Sequence, residues 1–167
     1  MKIVAVLCIC IATLGFAQER DSIGFGLGAR LNRMDCFLEA DASLGVHRWN
    51  YSAGLGFGIG RTILQTRFYP EMRIGVVYQL VHHKAFSLGP VVSVAASALR
   101  VNATSSRINW WQEYTLGYAL TAGKRMKFIQ RTEIGPMAET YHSAFENRLR
   151  TGWTWTYSFQ IGLRYAW

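Results

Sequence analysis

The chain has 167 residues, of which 50% are apolar, and carries 18 Lys and Arg against 10 Asp and Glu for a net charge of +8. That length supports one domain and excludes two of ordinary size, and beyond the first 17 residues no apolar run approaches the ~18 residues that mark a helical span, which excludes a helical membrane protein. Cys8 and Cys10 belong to that first segment, so Cys36 is left alone and makes neither an internal disulfide nor a cysteine metal cluster.

In chain order, Lys2 is followed by an apolar run over residues 3–16 and then by the small-residue pattern Gly15-Phe16-Ala17. This reads as a secretory signal peptide, residues 1–17, cleaved after Ala17. The apolar run is too short for a bilayer span of ~20 residues. Neither Cys8 nor Cys10 follows the small residue that lipoprotein cleavage needs. Removing 17 of the 167 residues leaves a mature domain of 150, residues 18–167, with 17 basic and 10 acidic side chains. An exported protein of net charge +7 does not meet nucleic acid, and phosphorylated lipid headgroups are the fitting counter-charge.

The mature chain then alternates apolar and small or polar residues with period two, the signature of strands with distinct faces. Ile23, Phe25, Leu27, Ala29 and Leu31 alternate with Gly24, Gly26, Gly28, Arg30 and Asn32. Leu38 to Val46 alternates with Glu39, Asp41, Ser43, Gly45 and His47. Tyr51 to Ile59 alternates with a glycine track, Gly54, Gly56, Gly58 and Gly60. Met72 to Leu80 alternates with Glu71, Arg73, Gly75, Val77 and Gln79. Leu88, Val92, Val94, Ala96 and Ala98 alternate with Gly89, Val91, Ser93, Ala95 and Ser97. Trp110, Tyr114, Leu116, Tyr118 and Leu120 alternate with Trp111, Glu113, Thr115, Gly117 and Ala119. The seventh and weakest set is Phe128, Thr132, Ile134 and Ala138 against Ile129, Arg131, Glu133, Gly135 and Met137. In the last, Trp153, Trp155, Tyr157, Phe159, Ile161, Leu163, Tyr165 and Trp167 occupy every second position.

Eight strands in 150 residues leave about 19 each, which fits tilted spans of ~10 residues with their connections in an antiparallel up-and-down barrel. The links alternate. Residues 47–50, 82–87 and 123–127 form a tight, basic set, while 61–67, 101–109 and 140–150 are longer and 33–35 is the short exception. A periplasmic tight set places both termini in the periplasm. Charge parity decides which face meets lipid: Arg30, Glu39, Asp41, Glu71, Arg73, Glu113, Arg131, Glu133 and Arg164 all fall on the small and polar face. A charge facing the bilayer midplane costs ~2–4 kcal/mol, so the uncharged aromatic face belongs outside. The glycines suit the concave inside.

With these features the chain resembles the small eight-stranded outer-membrane proteins of the OmpA-barrel and OmpX type, most specifically in its last strand, Gly162-Leu163-Arg164-Tyr165-Ala166-Trp167. Such chains typically end in an aromatic residue on an alternating strand, usually Phe, that the barrel-assembly machinery recognises. The resemblance therefore implies that Tyr165 and Trp167 are insertion signals. A purely interfacial anchoring role for Trp167 is the alternative.

An eight-stranded interior is only wide enough for its own side chains. The four arginines and five acids on the inner face are expected to form a salt-bridge network that plugs it, with a narrow gated channel as the alternative. A second alternative is a lipid A-modifying hydrolase. Its weak catalytic candidates are His142, Ser143 and Glu146 near the outer end of strand seven, but His142 and Ser143 are adjacent, and on a strand they point apart unless a turn reunites them. Gly54 to Gly60 imitates a dinucleotide loop without the helix that must follow. His82-His83-Lys84 lacks the partners of a metal site. Arg107, Arg148 and Arg150 are the candidates for pairing with lipopolysaccharide phosphates. The expectation is a non-enzymatic, monomeric, integral outer-membrane barrel in contact with lipid and lipopolysaccharide, without cofactor or metal, serving the envelope structurally or through surface contact.

Overall fold

A computed structural model describes residues 22–60, 69–83, 85–100, 108–143 and 148–167. The segment 1–17 read as a signal peptide lies outside the described residues, as do Lys84, Arg107 and Glu146. Nine strand segments follow one another: β1 (Ser22–Asn32), β2 (Cys36–Val46), β3 (Trp49–Gly58), β4 (Pro70–Tyr78), β5 (Val81–His83), β6 (Phe86–Arg100), β7 (Ile108–Gly123), β8 (Met126–Ser143) and β9 (Arg148–Ala166). Every neighbouring pair is antiparallel, and β1 pairs with β9, which closes the sheet. Among the described residues no strand is left unpaired along its whole length on one side, save the short β5 segment.

Both β4 and β5 pair with β6. Val77 faces Val91 and Val81 faces Leu88, so four steps along one strand match three along the other. The extra residue is a bulge at Gln79-Leu80, and β4 with β5 forms a single barrel strand. The barrel thus has eight strands. Gly89 lies beside the bulge, where a Cβ would stand 1.7 Å from the Tyr78 carbonyl oxygen.

The register defines the barrel's shape. From Ser22 the paired residues run Gly45, Asn50, Val77, Val91, Gly117, Glu133 and Ser158, and the circuit returns to β1 at Asn32, ten residues further on. With ordinary strand spacing and rise, a stagger of ten over eight strands tilts the strands by about 40° and gives a backbone radius of about 8 Å.

Ladder pairing extends further into the links than the sequence pattern indicates. At the end carrying the termini, β2 and β3 are joined by His47-Arg48 alone, with His47 in the left-handed region at φ 55°. Gly123, at φ 124°, turns the chain between β7 and β8. At the opposite end β8 runs on through Tyr141, His142 and Ser143, paired with Arg150, Leu149 and Arg148.

Burial is inverted relative to a soluble barrel. Leu27, Leu55, Trp153 and Trp155 on the outer face are each more than two-thirds exposed, whereas Arg30 inside is 0% exposed. The glycine track faces inward, where a Cβ on Gly56 would meet the Glu39 side chain at 2.9 Å and one on Gly54 would meet Asp41 Cβ at 3.3 Å. The missing side chains make room for the acids of β2.

Candidate functional site: the charged interior

Because inward positions recur every second residue on every strand, side chains distant in sequence meet on the barrel axis. Arg30 of β1 is the hub toward the end opposite the termini. Its Nε donates to Glu39 Oε1 at 2.6 Å, its Nη1 to Glu113 Oε2 at 3.1 Å, and its Nη2 to Glu71. The guanidinium carbon lies 4.9 Å from the centre of the Phe37 ring, a cation–π approach. Asn32 adds an amide donor to Glu113, and Gln160 donates to Glu39 Oε2 at 2.8 Å. A planar guanidinium with five donors in a fixed fork is well suited to serve three carboxylates from three other strands.

Gln160 also joins this cluster to the next, since its Oε1 accepts from Arg73 Nη1 at 3.3 Å. Arg73 pairs with Glu133, whose other oxygen accepts from Ser93 and Thr115. Nearer the termini, Arg164 donates to Asp41 Oδ1 through Nη2 at 2.6 Å and Nε at 3.0 Å, and to Asn50 through Nη1 at 3.3 Å. Arg131 differs from the other three arginines. Its Nη2 donates to Ser52 Oγ at 3.2 Å, its Nε is buried without an acceptor, and among the described residues it makes no ion pair within 4.0 Å.

Two inward residues on the polar parity are aromatic, and sequence reasoning missed their role. Phe37 and Trp111 pack with Tyr69, Leu99 and Met137 into an apolar layer at the end opposite the termini. Tyr69 sits at the centre, 5.1 Å from the Phe37 ring and 5.4 Å from the Trp111 ring. Trp111 carried a usable signal, because a large aromatic on an otherwise small and charged face has no lipid to meet. The interior is therefore stratified: an apolar layer, an acid-rich cluster on Arg30, then an arginine-rich region.

The remaining candidates are placed as follows. His142 and Ser143 are consecutive residues of a regular strand, so no turn reunites them, and Glu146 lies outside the described residues. Arg148 and Arg150 begin β9 at the rim opposite the termini. Tyr165 and Trp167 lie exposed on the outer face, where Trp167 stacks on Phe25 at 5.6 Å and its backbone N–H donates to the Ile23 carbonyl. Trp167 thereby seals the β1–β9 seam. Among the described residues no group of three or more His, Cys, Asp or Glu is arranged to hold a metal.

The stagger, the closure and the inverted burial define a closed eight-stranded antiparallel barrel of the outer-membrane type. The N-terminal β-barrel domain of Pseudomonas aeruginosa OprF superposes with a TM-score of 0.57 at 8% identity, over 89% of this chain and 100% of that domain. A major outer membrane protein from Thermus thermophilus superposes with a TM-score of 0.51 at 7% identity, over 89% of this chain and 100% of the other. At these identities the likeness is one of fold. No family model and no curated protein matches the sequence.

Proposed function

We propose that the chain is a monomeric, non-enzymatic, integral protein of a bacterial outer membrane, a salt-bridge-plugged barrel with both termini in the periplasm. The observation that carries this reading is the pairing of an uncharged apolar outer face with a buried set of arginines and glutamates. In water that arrangement would expose the hydrophobic band and desolvate the charges; in a bilayer the band is solvated by lipid and the charges satisfy one another inside. The tight turns at the end carrying the termini support the periplasmic assignment of that end. The apolar layer above Arg30 supports a structural plug over a channel. The exposed Trp and Tyr residues support anchoring at the lipid interface, and Arg148 and Arg150 at the other rim support contact with lipopolysaccharide phosphates. Strand geometry at His142 and Ser143 gives the hydrolase reading no support.

The test is fractionation of the cell envelope with heat-modifiable gel migration. The protein is expected in the outer-membrane fraction, extracted only by detergent, and migrating differently before and after boiling. Solubility without detergent would refute the proposal.

A further inference from the structure

The interior opens at the end carrying the termini into a vestibule of about 610 Å³. A smaller recess of about 30 Å³ continues from it, since Ser22, Asn50, Gln79, Thr121 and Lys127 line both. Three cations, Lys127, Arg131 and Arg164, line the recess. Lys127 and Arg164 are direct cross-strand partners on β8 and β9, and Arg131 stands on the same face of β8 four residues beyond Lys127. Like charges placed opposite one another destabilise a sheet pair unless something neutralises them. Among the described residues, one carboxylate pairs with a member of this group: Asp41, which is taken by Arg164. Glu133 is taken by Arg73, Ser93 and Thr115. Arg131, only 4% exposed, keeps a buried Nε with no acceptor among the described residues.

We propose that the junction of this recess with the vestibule is a binding site for a phosphate group, with Lys127 and Arg131 as its principal ligands. The Arg131 guanidinium supplies charged donors at its floor, and the Lys127 ammonium, with the neutral donors of Asn50, Ser22 and Thr121, lines its mouth. A phosphate group has enough oxygens to engage donors on several sides, where a carboxylate has only two. The vestibule admits the remainder of a phosphorylated molecule. An inorganic phosphate and a phospholipid headgroup share this chemistry. The vestibule's facing the periplasm rests on the orientation proposed above; binding in the recess does not.

The protein, purified in dodecyl maltoside, is titrated with inorganic phosphate and separately with dihexanoyl phosphatidylglycerol, followed by phosphorus NMR line broadening. Because this measurement needs no membrane, its failure is separate from a failure of the localisation. Saturable binding is expected, weakened about tenfold or more by Lys127→Gln and by Arg131→Gln, and unchanged by Lys124→Gln in the exposed turn. Unboiled gel migration verifies folding of each variant, and Lys127 at the mouth keeps the test decisive where Arg131→Gln does not fold. Competition by inorganic phosphate identifies a free anion as the ligand, whereas saturation by the diester alone identifies a lipid headgroup. If neither probe saturates, or if Lys127→Gln binds as the parent does, the proposal is overturned.

Discussion

Replacing Arg30 by Met removes one cation and strands three carboxylates. Met fills much of the same volume without a charge, so the change tests electrostatics more than packing. Glu39, Glu71 and Glu113 are each nearly inaccessible and depend on this guanidinium. Removing one partner from a buried ion pair costs ~3–5 kcal/mol, chiefly because the other charge is left uncompensated. Three stranded glutamates make that range a lower bound. Asn32 and Gln160 still donate to Glu113 and Glu39, whereas Glu71 Oε2 already lacks a partner, so Glu71 suffers most. Urea unfolding in lipid vesicles, followed by tryptophan fluorescence and gel migration, gives the change through the midpoint at constant slope. Adding Glu71→Gln and Glu113→Gln to Arg30→Met removes two of the three stranded charges, leaves Glu39 with its Gln160 donor, and is expected to recover most of the loss. A single-variant cost under ~1 kcal/mol, far below the buried-pair range, would sink the reasoning. So would a triple variant no more stable than the single one.

Other perturbations separate the lipid face, the bulge and the turn. Leu27→Arg places a charge at the middle of the outer face of β1 and is expected to cost ~2–4 kcal/mol in the same vesicle assay, against under ~1.5 kcal/mol for Leu27→Met. Gly89→Val drives a side chain into the Tyr78 carbonyl across from the bulge; the expected outcome is loss of the folded, fast-migrating gel species. His47→Gly relieves a left-handed residue and is expected to be neutral or stabilising by up to ~1 kcal/mol, while His47→Ile costs ~1–2 kcal/mol. Equal midpoints for the His47 pair would show that the turn does not hold its φ in the membrane.

How much was legible follows from what each residue depends on. The faces of β1, β2, β3 and β9 were readable because a strand's side-chain period is fixed by covalent geometry, whatever the strand packs against. The inward direction of the nine charges was readable for the same reason. Which acid meets which arginine was not, because pairing depends on stagger: Arg30 reaches Glu71 and Glu113 only in the ten-residue register. The bulge at Gln79-Leu80 was hidden because Met72 to Leu80 continues its alternation through it. The apolar layer escaped because Tyr69 falls just outside a strand, and its significance emerges only when Phe37 and Trp111 converge on it. The extra strand length at Tyr141 to Ser143 lacks the apolar alternation that marks a membrane-crossing segment. It is held by backbone pairing to β9, which composition does not report.

The interior charges contribute more to choosing the structure than to stabilising it. Replacing a buried ionic cluster wholesale with well-packed apolar side chains is often neutral or favourable, so net stability does not explain nine charges inside so small a barrel. Register does. A one-residue slip turns a strand's whole inward set outward. For β8 that would carry Arg131 and Glu133 onto the apolar face, with a cost of ~2–4 kcal/mol for the arginine alone at mid-bilayer. A two-residue slip keeps the faces but moves Glu133 away from Arg73, Ser93 and Thr115 and leaves a buried carboxylate unpaired. Because Arg30 draws its partners from β2, β4 and β7, its cluster is complete only when those strands are correctly staggered. Gln160 on β9 then ties that cluster to Arg73, so the last strand joins the same network as the first. A featureless apolar interior would tolerate several staggers; this one brings Arg30, Arg73 and Arg164 to their acids in a single arrangement and leaves Arg131, toward the open end, without an ion pair among the described residues.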